Sequence, residues 1–438
     1  MKILPGPLRR RFEHRSNFLK IVDNIGWLFF DRVLRMGVGL IVGVWIARFL
    51  GPEQFGVLSF ATSFVGLFGA ISGLGLQGIV VRDLVRGPEA KEDILGTAVT
   101  LQLIGGVVAY CCILLAIAWL RPDDSLSRVI VAVLGSMMLF RVSDVAIYWF
   151  ESQVLSKYTV WVQSSCFLFF AVIKVGLIVI NAPLMAFAWA TTAEALIVAV
   201  LLGVIFSLRG PGLQRLRFTL VRAKAMLTDS WPLLFSGIAL TVNMGIDQIM
   251  LGQIAGDEAV GIYSVAVRVS EVWYFAIAMF LASVFPYLAK QNELKTEDLP
   301  RRWIQAYRFM FWLSLMVAVV LSVLAEPLVD LLFGAEYSGA AAILSLHVWA
   351  GVNVAVGSVW SKWLLLENEL QYGLYAQLAG AILNVGFNLV LIREYGAMGA
   401  AIATLASYWL SALFAYSLHK PATTFTYLFE AITGREFR

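Results

Sequence analysis

Long apolar runs and short polar breaks alternate along this chain, and twelve of the runs are long enough to cross a bilayer. A helix rises about 1.5 Å per residue, so roughly 20 apolar residues span a hydrocarbon core about 30 Å thick. The pattern therefore predicts an all-α, polytopic membrane protein with about 12 transmembrane helices. The predicted spans are 26–50, 55–79, 94–120, 128–150, 159–180, 183–207, 231–254, 259–285, 303–325, 337–361, 373–392 and 396–418.

The Lys and Arg residues between the spans indicate the orientation of the chain. The two termini and the loops after even-numbered spans hold 23 of these cations, whereas the loops after odd-numbered spans hold 4 when Arg48 and Arg128, near the outer ends of their spans, are counted with them. Cytoplasmic loops of membrane proteins carry the excess of Lys and Arg. We therefore predict a multi-pass protein of the cytoplasmic membrane with both termini in the cytoplasm.

Composition supports this class, because 60% of the residues are hydrophobic and 14% are charged. The net charge of +4 is explained by loops that face anionic lipid, so no nucleic-acid partner is predicted. The first 24 residues carry six cations and predict a basic interfacial segment. Cys111, Cys112 and Cys166 lie inside apolar runs, without metal-ligand or disulfide spacing, and are predicted to be packing residues.

A polar break at 209–230 divides the chain into two halves with six predicted spans each. LGPEQFGVLSFA at 50–61 aligns with AGDEAVGIYSVA at 255–266, an offset of 205 positions. MAFAWAT at 185–191 aligns with MGAAIAT at 398–404, at an offset of 213. Turn chemistry and close packing of small residues explain the first match equally well.

Three such matches in one order, the third pairing Trp149 and Tyr158 with Trp363 and Tyr372, indicate an internal repeat. An even number of spans in each half makes the two repeats parallel, with a path for substrate between the two lobes. The predicted division is 1–24 as basic interfacial N-terminus, 25–208 as N-lobe, 209–230 as cytoplasmic linker, 231–418 as C-lobe and 419–438 as cytoplasmic tail.

Several charged residues interrupt the spans. A cation at the bilayer centre costs roughly 3 kcal/mol, so such residues are usually paired, hydrated or functional. At 1.5 Å per residue, Arg35, Arg141 and Arg268 lie about 13 Å from a span end, close to the midplane. Each has an acidic residue at helical spacing, so structural pairing and function are both open. The spaced pairs are Asp31 with Arg35, Asp144 with Arg141, and Glu271 with Arg268.

Two further cations, Arg32 and Lys174, have no acidic residue three or four positions away, which favours a water-filled cavity around them. Two acids, Glu194 and Asp247, likewise have no local cationic partner. They are candidate proton or sodium carriers, because desolvation makes buried carboxyl groups titrate closer to neutral pH. His347 is either a proton relay or a hydrogen-bonded packing residue.

A polar stripe in span 11 consists of Gln377, Asn384 and Asn388, which either line the passage or join helices by hydrogen bonds. No phosphate-binding G-x-x-x-x-G-K-[ST] loop and no paired His or Cys ligands occur in the sequence. The chain is therefore predicted to be no enzyme and to need no cofactor or metal. Transport driven by an ion gradient or by substrate concentration remains.

Several stretches carry a resemblance to a known family. They are the amphipathic first span followed by RFLGPE at 48–53, the segment 231–266 with DQ at 247–248 and GIYS at 261–264, and YGAMGAA at 395–401. Over nearly all of residues 20–418, the chain resembles the polysaccharide (O-antigen type) flippases of the multidrug/oligosaccharidyl-lipid/polysaccharide exporter superfamily.

That resemblance implies transport of a polyprenyl-pyrophosphate-linked oligosaccharide from the inner to the outer leaflet, for surface polysaccharide biosynthesis. The pyrophosphate requires positive charge in a hydrated cavity. The expected partners are this glycan lipid, membrane lipids and, as candidates, a polysaccharide polymerase and other assembly proteins. The expected substrate-binding residues are Arg32, Arg35, Lys174, Arg268 and Arg141, and the expected ion-coupling residues are Asp247, Glu194 and Asp31.

Two other functions stay open at this point. A cation-coupled small-molecule or multidrug antiporter of the same superfamily would favour acids over cations in the central cavity. A structural or assembly partner of membrane enzymes would contain no sealed cavity.

Overall fold

The computed structural model describes residues 16–294 and 296–434. All regular secondary structure within these residues is helical. The first nine α-helices are α1 (Ser16–Leu67), α2 (Gly69–Gly73), α3 (Leu76–Arg86), α4 (Lys91–Leu120), α5 (Ser125–Gly135), α6 (Met137–Phe140), α7 (Asp144–Ser152), α8 (Lys157–Val179) and α9 (Leu184–Arg209). The next nine are α10 (Leu220–Ile254), α11 (Asp257–Glu271), α12 (Tyr274–Glu293), α13 (Leu299–Val323), α14 (Ala325–Phe333), α15 (Gly339–His347), α16 (Ala350–Glu367), α17 (Leu370–Leu418) and α18 (Pro421–Thr433). Short 3-10 helices lie at Pro88–Ala90, Arg141–Ser143, Leu213–Arg215 and Ala335–Tyr337.

Ten helical stretches of the described chain are long and apolar enough to cross a membrane. Two of them are much longer than one crossing, Gly26–Arg86 with 61 residues and Leu370–Leu418 with 49. Each of these two contains two of the predicted spans, so the ten stretches accommodate twelve crossings. The predicted all-α fold with about 12 transmembrane helices is confirmed.

Glycines divide these two long helices. Gly51 in α1 has φ 70° and ψ 171°, and Pro52 follows it. Gly396 in α17 has φ 54° and ψ −131°. Side chains other than hydrogen are strained at such positive φ values, and proline lacks the N–H that would continue the helical hydrogen bonds. The chain therefore turns at the two places where the sequence separates one predicted span from the next.

The chain forms two compact units. Among the described residues, the first unit contains those up to Ile46 and Phe64–Ile238, and the second contains Ala47–Ser63 and those from Ala239 onward. The kinked middle of α1 thus groups with the C-terminal half of the chain. The predicted division into an N-lobe, a linker and a C-lobe stays a prediction.

Interrupted helices characterise the first unit. After α1 ends at Leu67, the short α2 leads to Leu74 and Gly75, both with left-handed backbone, before α3 continues. The helical path from α5 to α7 is interrupted in the same way by the 3-10 turn Arg141–Ser143. Broken helices free backbone carbonyls and amides inside a span, where they bind side chains, ions or substrate groups.

The sequence match between 50–61 and 255–266 corresponds to a structural match within the second unit. Gly256 has φ 89° and ψ 172°, nearly the conformation of Gly51, which lies 205 positions earlier. Beyond these turns, a Cβ atom on Gly56 would overlap the carbonyl of Asp257, and one on Gly261 would overlap the carbonyl of Pro52. Pro52 with Asp257, and Gly56 with Gly261, are themselves 205 positions apart. The two matching segments therefore cross each other in a reciprocal backbone contact.

The ends of the chain also bear on the sequence predictions. Of the predicted basic interfacial N-terminus, residues 1–15 lie outside the described residues, and so do 435–438 of the predicted tail. The rest of the tail contains α18, a helix that the apolar pattern did not predict. It packs on α13, where Arg308 Nη2 donates a hydrogen bond of 2.8 Å to the carbonyl of Glu430.

Candidate functional site

A polar contact joins α1 to α8 in the first unit. Arg35 Nε donates to Asp31 Oδ1 at 2.8 Å, and Ser164 Oγ donates to the same oxygen at 2.5 Å. The Arg35 guanidinium also lies 5.3 Å from the ring centroid of Phe167. Arg35 Nη2 is buried and has no hydrogen-bond partner. The predicted Asp31–Arg35 pair therefore forms, and it leaves one cationic donor available to an additional acceptor.

A second ion pair joins α8 to α9. Lys174 Nζ lies 2.9 Å from Glu194 Oε2, and the two side chains are 16% and 17% exposed. Neither residue has an oppositely charged neighbour at helical spacing on its own helix, so both were predicted to be unpaired. That expectation is wrong, because the partner lies 20 residues away on the adjacent helix, a distance that spacing within one helix does not reveal.

The second predicted pair of the first unit, Arg141 with Asp144, forms at the interrupted helices. Arg141 Nε donates to Asp144 Oδ2 at 3.2 Å, and Arg141 Nη1 donates to the carbonyl of Gly69 at 2.6 Å. Gly69 begins α2, so this arginine connects two interrupted spans. About a third of the Arg141 side chain remains exposed. Both a structural contact and contact with cargo are compatible with this position.

Arg268, unlike Arg35 and Arg141, does not form its predicted ion pair. Its side chain is exposed although it lies within α11, and its guanidinium lies 5.1 Å from the ring centroid of Phe55. No ion pair forms between Arg268 and Glu271, so the structural pairing that the spacing allowed is wrong. Arg32 on α1 is also exposed and makes no ion pair with a described residue. These two cations are accessible inside predicted spans.

A buried polar cluster surrounds Asp247 in α10. Its Oδ1 accepts from Asn388 Nδ2 at 2.6 Å, and its Oδ2 accepts from Thr404 Oγ1 at 2.6 Å and from the Tyr263 hydroxyl at 2.9 Å. Asn388 Nδ2 also donates to Asn384 Oδ1 at 2.9 Å, while Asn388 Oδ1 is buried without a partner. The prediction that Asp247 has no cationic partner holds among the described residues. Carboxylate, amide and hydroxyl oxygens converge here as they do around hard cations.

His347 lies next to this cluster. Its Nδ1 is 2.8 Å from Ser270 Oγ, and its ring meets the Tyr263 ring edge-on at 6.0 Å between centroids. Since Tyr263 binds Asp247, a packed chain of polar groups connects the histidine to the carboxylate. The contact with Ser270 accounts for His347 as a hydrogen-bonded packing residue, and the proton relay stays open.

A second polar cluster lies where α16 and α17 end. His419 Nε2 is 3.2 Å from Glu367 Oε2 and 2.9 Å from Glu369 Oε2, and Lys420 Nζ is 2.7 Å from the same Glu367 oxygen. The carboxylates of Glu367 and Glu369 and the imidazole of His419 lie close enough together to hold a metal ion. However, Trp360 Nε1 donates to His419 Nδ1 at 3.3 Å, so a neutral imidazole carries its proton on Nε2, facing the carboxylates. Hydrogen bonding therefore accounts for this cluster.

A cavity of about 580 Å³ lies within the second unit, between α10, α12, α16 and α17, and is here named the C-terminal cavity. Asn243, Gln377, Lys362 and Tyr416 are among its polar lining. Sequence reasoning counted Lys362 only as a loop cation and placed Gln377 on a polar stripe. It missed Tyr263 and Thr404 as partners of Asp247, although both lie in the stretches that repeat between the halves.

The helical spans, the interrupted helices and the charged groups within them define a multi-pass membrane transporter. The family model described as polysaccharide biosynthesis protein matches residues 21–291, more than half of the chain, and the chain belongs to this family. A second family model, MatE, matches residues 232–390. The resemblance to polysaccharide flippases of the exporter superfamily is confirmed.

Individual proteins and solved structures are also similar to this chain. A probable low-salt glycan biosynthesis flippase of Haloferax volcanii is 22% identical over 405 residues, which cover 87% of this chain and 79% of that protein. An inward-facing multidrug resistance transporter of the MATE family has a TM-score of 0.75 at 17% identity, covering 89% of this chain and 94% of the other. A lipid II flippase in an inward closed conformation has a TM-score of 0.73 at 14% identity, covering 94% and 91%. The two structures support the fold.

Proposed function

We propose that this protein is a flippase that moves a polyprenyl-pyrophosphate-linked oligosaccharide from the inner to the outer leaflet of the cytoplasmic membrane. Its role would be the biosynthesis of a surface polysaccharide. The membership of the polysaccharide biosynthesis family and the glycan biosynthesis flippase among its relatives support this cargo. The two lobes would expose the cargo site to one side at a time, by alternating access.

The observation that carries the proposal is the accessible charge of Arg268. A cation costs roughly 3 kcal/mol in a span, and this one gains no ion pair from a described residue in return. A hydrated anionic ligand would offset that cost, and a pyrophosphate is such a ligand. Arg32 has the same accessibility and makes no ion pair with a described residue.

The other cations predicted to bind the cargo are already partly neutralised by acids or carbonyl groups of the protein. Arg35 keeps one buried donor without a partner, and Lys174 is held by Glu194. Arg141 is held by Asp144 and the carbonyl of Gly69. In this proposal Arg32 and Arg268 bind the anionic head most directly, while Arg35, Lys174 and Arg141 raise the local positive potential.

Energy coupling is assigned to Asp247. Its carboxylate, Thr404 Oγ1 and the unpartnered Asn388 Oδ1 supply buried oxygens in the second unit, a set that suits a proton or a sodium ion. Glu194 and Asp31 are weaker candidates, because each already forms an ion pair with a cation. Binding of the ion would favour one conformation of the transporter over another.

A cation-coupled small-molecule or multidrug antiporter is the second candidate. The fold of the MATE family transporter and the MatE match over 232–390 favour it. Its cationic substrates would need accessible acids, and Asp31, Glu194 and Asp144 are all paired with cations. Asp247 also forms no ion pair with a described residue, but it is buried among its hydrogen-bond donors. Glu271 would therefore have to serve, since it is partly exposed and forms no ion pair with a described residue.

Deletion of the gene tests the proposal in cells. The flippase predicts that one surface glycan disappears and that its lipid-linked precursor accumulates in the inner leaflet. Sensitivity to lipophilic cations with all surface glycans intact would instead identify the antiporter. A polymerase and other assembly proteins are candidate partners of the flippase, and co-purification with the intact chain would identify them.

A further inference from the structure

The C-terminal cavity contains polar atoms that lack partners. Asn243 Oδ1, Gln377 Oε1 and the hydroxyl of Tyr416 are all buried, and none of them has a hydrogen-bond partner. Burial of an unsatisfied polar atom carries its full desolvation cost, so native proteins keep few of them without a reason. Two amide oxygens and a hydroxyl would be satisfied by a ligand that carries several hydroxyl groups.

Two glycines keep this part of the cavity open. A Cβ atom on Gly380 would lie 3.1 Å from Asn243 Oδ1 and 3.3 Å from Ser411 Oγ. A Cβ atom on Gly357 would lie 3.8 Å from the Tyr416 hydroxyl. Both glycines are in helices, where alanine is the more stable residue by about 1 kcal/mol. The absence of a methyl group at both positions therefore leaves space beside these buried, unpartnered atoms, at a cost in helix stability.

Aromatic side chains and one cation complete the lining. Tyr274, Trp360 and Tyr408 add apolar ring surface beside the amides. The charged residue of the lining is Lys362, which forms no ion pair with a described residue and disfavours a cationic ligand. A volume of about 580 Å³ lies within the roughly 300–1,000 Å³ of small-molecule sites.

We propose that the C-terminal cavity binds a sugar unit of the transported lipid-linked glycan. This subsite rests on the proposed flippase function and names the part of the cargo that the second unit recognises. Pyranose rings offer hydroxyl donors to Asn243 and Gln377 and apolar C–H faces to the aromatic rings. An acidic sugar would additionally place its carboxylate near Lys362.

Binding of free sugars to the full chain in nanodiscs tests the subsite directly. Saturation-transfer difference NMR would be recorded with glucose, galactose, mannose, rhamnose, N-acetylglucosamine and glucuronate. The subsite predicts saturation transfer to at least one of them. Gly380→Ala should weaken that binding about tenfold, because the added methyl covers Asn243 Oδ1. The matched control is Gly386→Ala on the same helix, where a Cβ atom has no neighbour within 4 Å. Equal binding by the two variants, or no transfer to any sugar, would overturn the subsite.

A second variant separates binding from folding. Gln377→Met removes an unpartnered buried oxygen at nearly constant volume, so the melting temperature should stay the same or rise while sugar binding falls. A lowered melting temperature with unchanged sugar binding would contradict the proposal, because it would assign Gln377 to the packing of the helices.

The subsite and the flippase function are separable by experiment. Loss of a surface glycan on gene deletion, without any sugar binding by the purified chain, would remove the subsite and leave the flippase. Saturation transfer from a sugar that Gly380→Ala weakens, with every surface glycan intact after deletion, would support the cavity and reject the flippase. Displacement of the bound sugar by ethidium would overturn the sugar assignment in favour of a cationic ligand.

Discussion

At the scale of single residues, the accessible cation Arg268 distinguishes this protein from a passive helical bundle. It lies within α11 against the ring of Phe55, and Glu271 does not neutralise it. A cation–π contact contributes about 0.5–2 kcal/mol, less than the roughly 3 kcal/mol that a cation costs at the bilayer centre. The remaining difference indicates that hydration or an anionic ligand accompanies this side chain.

Replacement of Arg268 tests its contact with the cargo. Arg268→Ala should reduce export of the glycan at least tenfold while membrane abundance stays nearly unchanged, since no ion pair with a described residue is broken. Arg268→Lys should restore part of the export, because charge matters more than fork geometry in a loose contact. Arg393→Ala is the matched control, an exposed arginine at a predicted outer turn. Export would be measured as surface glycan per amount of protein, and full export by Arg268→Ala would refute the contact.

Asp247 permits a similarly sharp test of energy coupling. Asp247→Asn keeps the shape of the side chain and one of its two acceptor oxygens, so the chain should fold and still bind the lipid-linked glycan. It should lose the dependence of transport on a proton or sodium gradient, measured in reconstituted vesicles. Glu194→Gln instead leaves Lys174 without its counterion and should lower stability. Gradient dependence that survives in Asp247→Asn would exclude this residue as the coupling site.

The sequence located the charged residues of the spans but could not assign all their partners. Pairs three or four residues apart were proposed from helical periodicity, and two of the three form. Lys174 and Glu194 pair across two helices, and the hydrogen-bond donors to Asp247 in α10 come from two other helices, α11 and α17. Such contacts depend on how the helices pack against one another, and a single sequence does not specify that packing.

At the scale of elements, the reciprocal crossing at Gly56 and Gly261 brings together the backbones of the two segments whose sequences match. Each glycine faces a carbonyl of the opposite segment so closely that a methyl group has no room. Sequence analysis offered turn chemistry and small-residue packing as a sufficient explanation of this motif. Both occur, and the matched backbone conformations of Gly51 and Gly256 add a symmetry that turn chemistry alone does not require.

A methyl group at the crossing should therefore separate the two segments. Gly56→Ala and Gly261→Ala should each lower the free energy of unfolding by about 1–3 kcal/mol, the usual cost of overpacking. Gly66→Ala in the same helix as Gly56 is the control, because its Cβ atom would have no neighbour within 4 Å. Thermal unfolding of the three variants in one detergent would measure the effect. Equal stability of Gly56→Ala and Gly66→Ala would contradict the close crossing.

Hydrophobic runs predicted the long helices well, because about 20 consecutive apolar residues leave few alternatives to a span. They did not predict the interruptions at Leu74, Gly75 and the 3-10 turn of α5 to α7, since these depend on local backbone conformations. The helix α18 was missed for another reason. It is only 13 residues long, too short for a span, and lies in the segment that the sequence analysis predicted to be a cytoplasmic tail.

At the scale of the whole molecule, the charge count predicts the orientation of the chain in the membrane. The outer turn at 255–258 and the linker at 209–230 should face opposite sides. Glu258→Cys and Gln214→Cys, both at exposed positions, would be made in a background without the three native cysteines, of which Cys111 is exposed. An impermeant thiol reagent should label position 258 from outside and position 214 only after permeabilisation. The reverse pattern would invert the topology.

Transport of the purified protein's own cargo is the most direct test of the flippase. Vesicles would contain the full chain and a lipid-linked oligosaccharide extracted from cells that lack the gene, and a glycosidase added outside would report which leaflet the glycan occupies. The account predicts that the wild-type chain makes the inner pool accessible to the enzyme much faster than empty vesicles, and that Arg268→Ala does so at least tenfold more slowly. Access at the same slow rate with and without the protein would contradict the account.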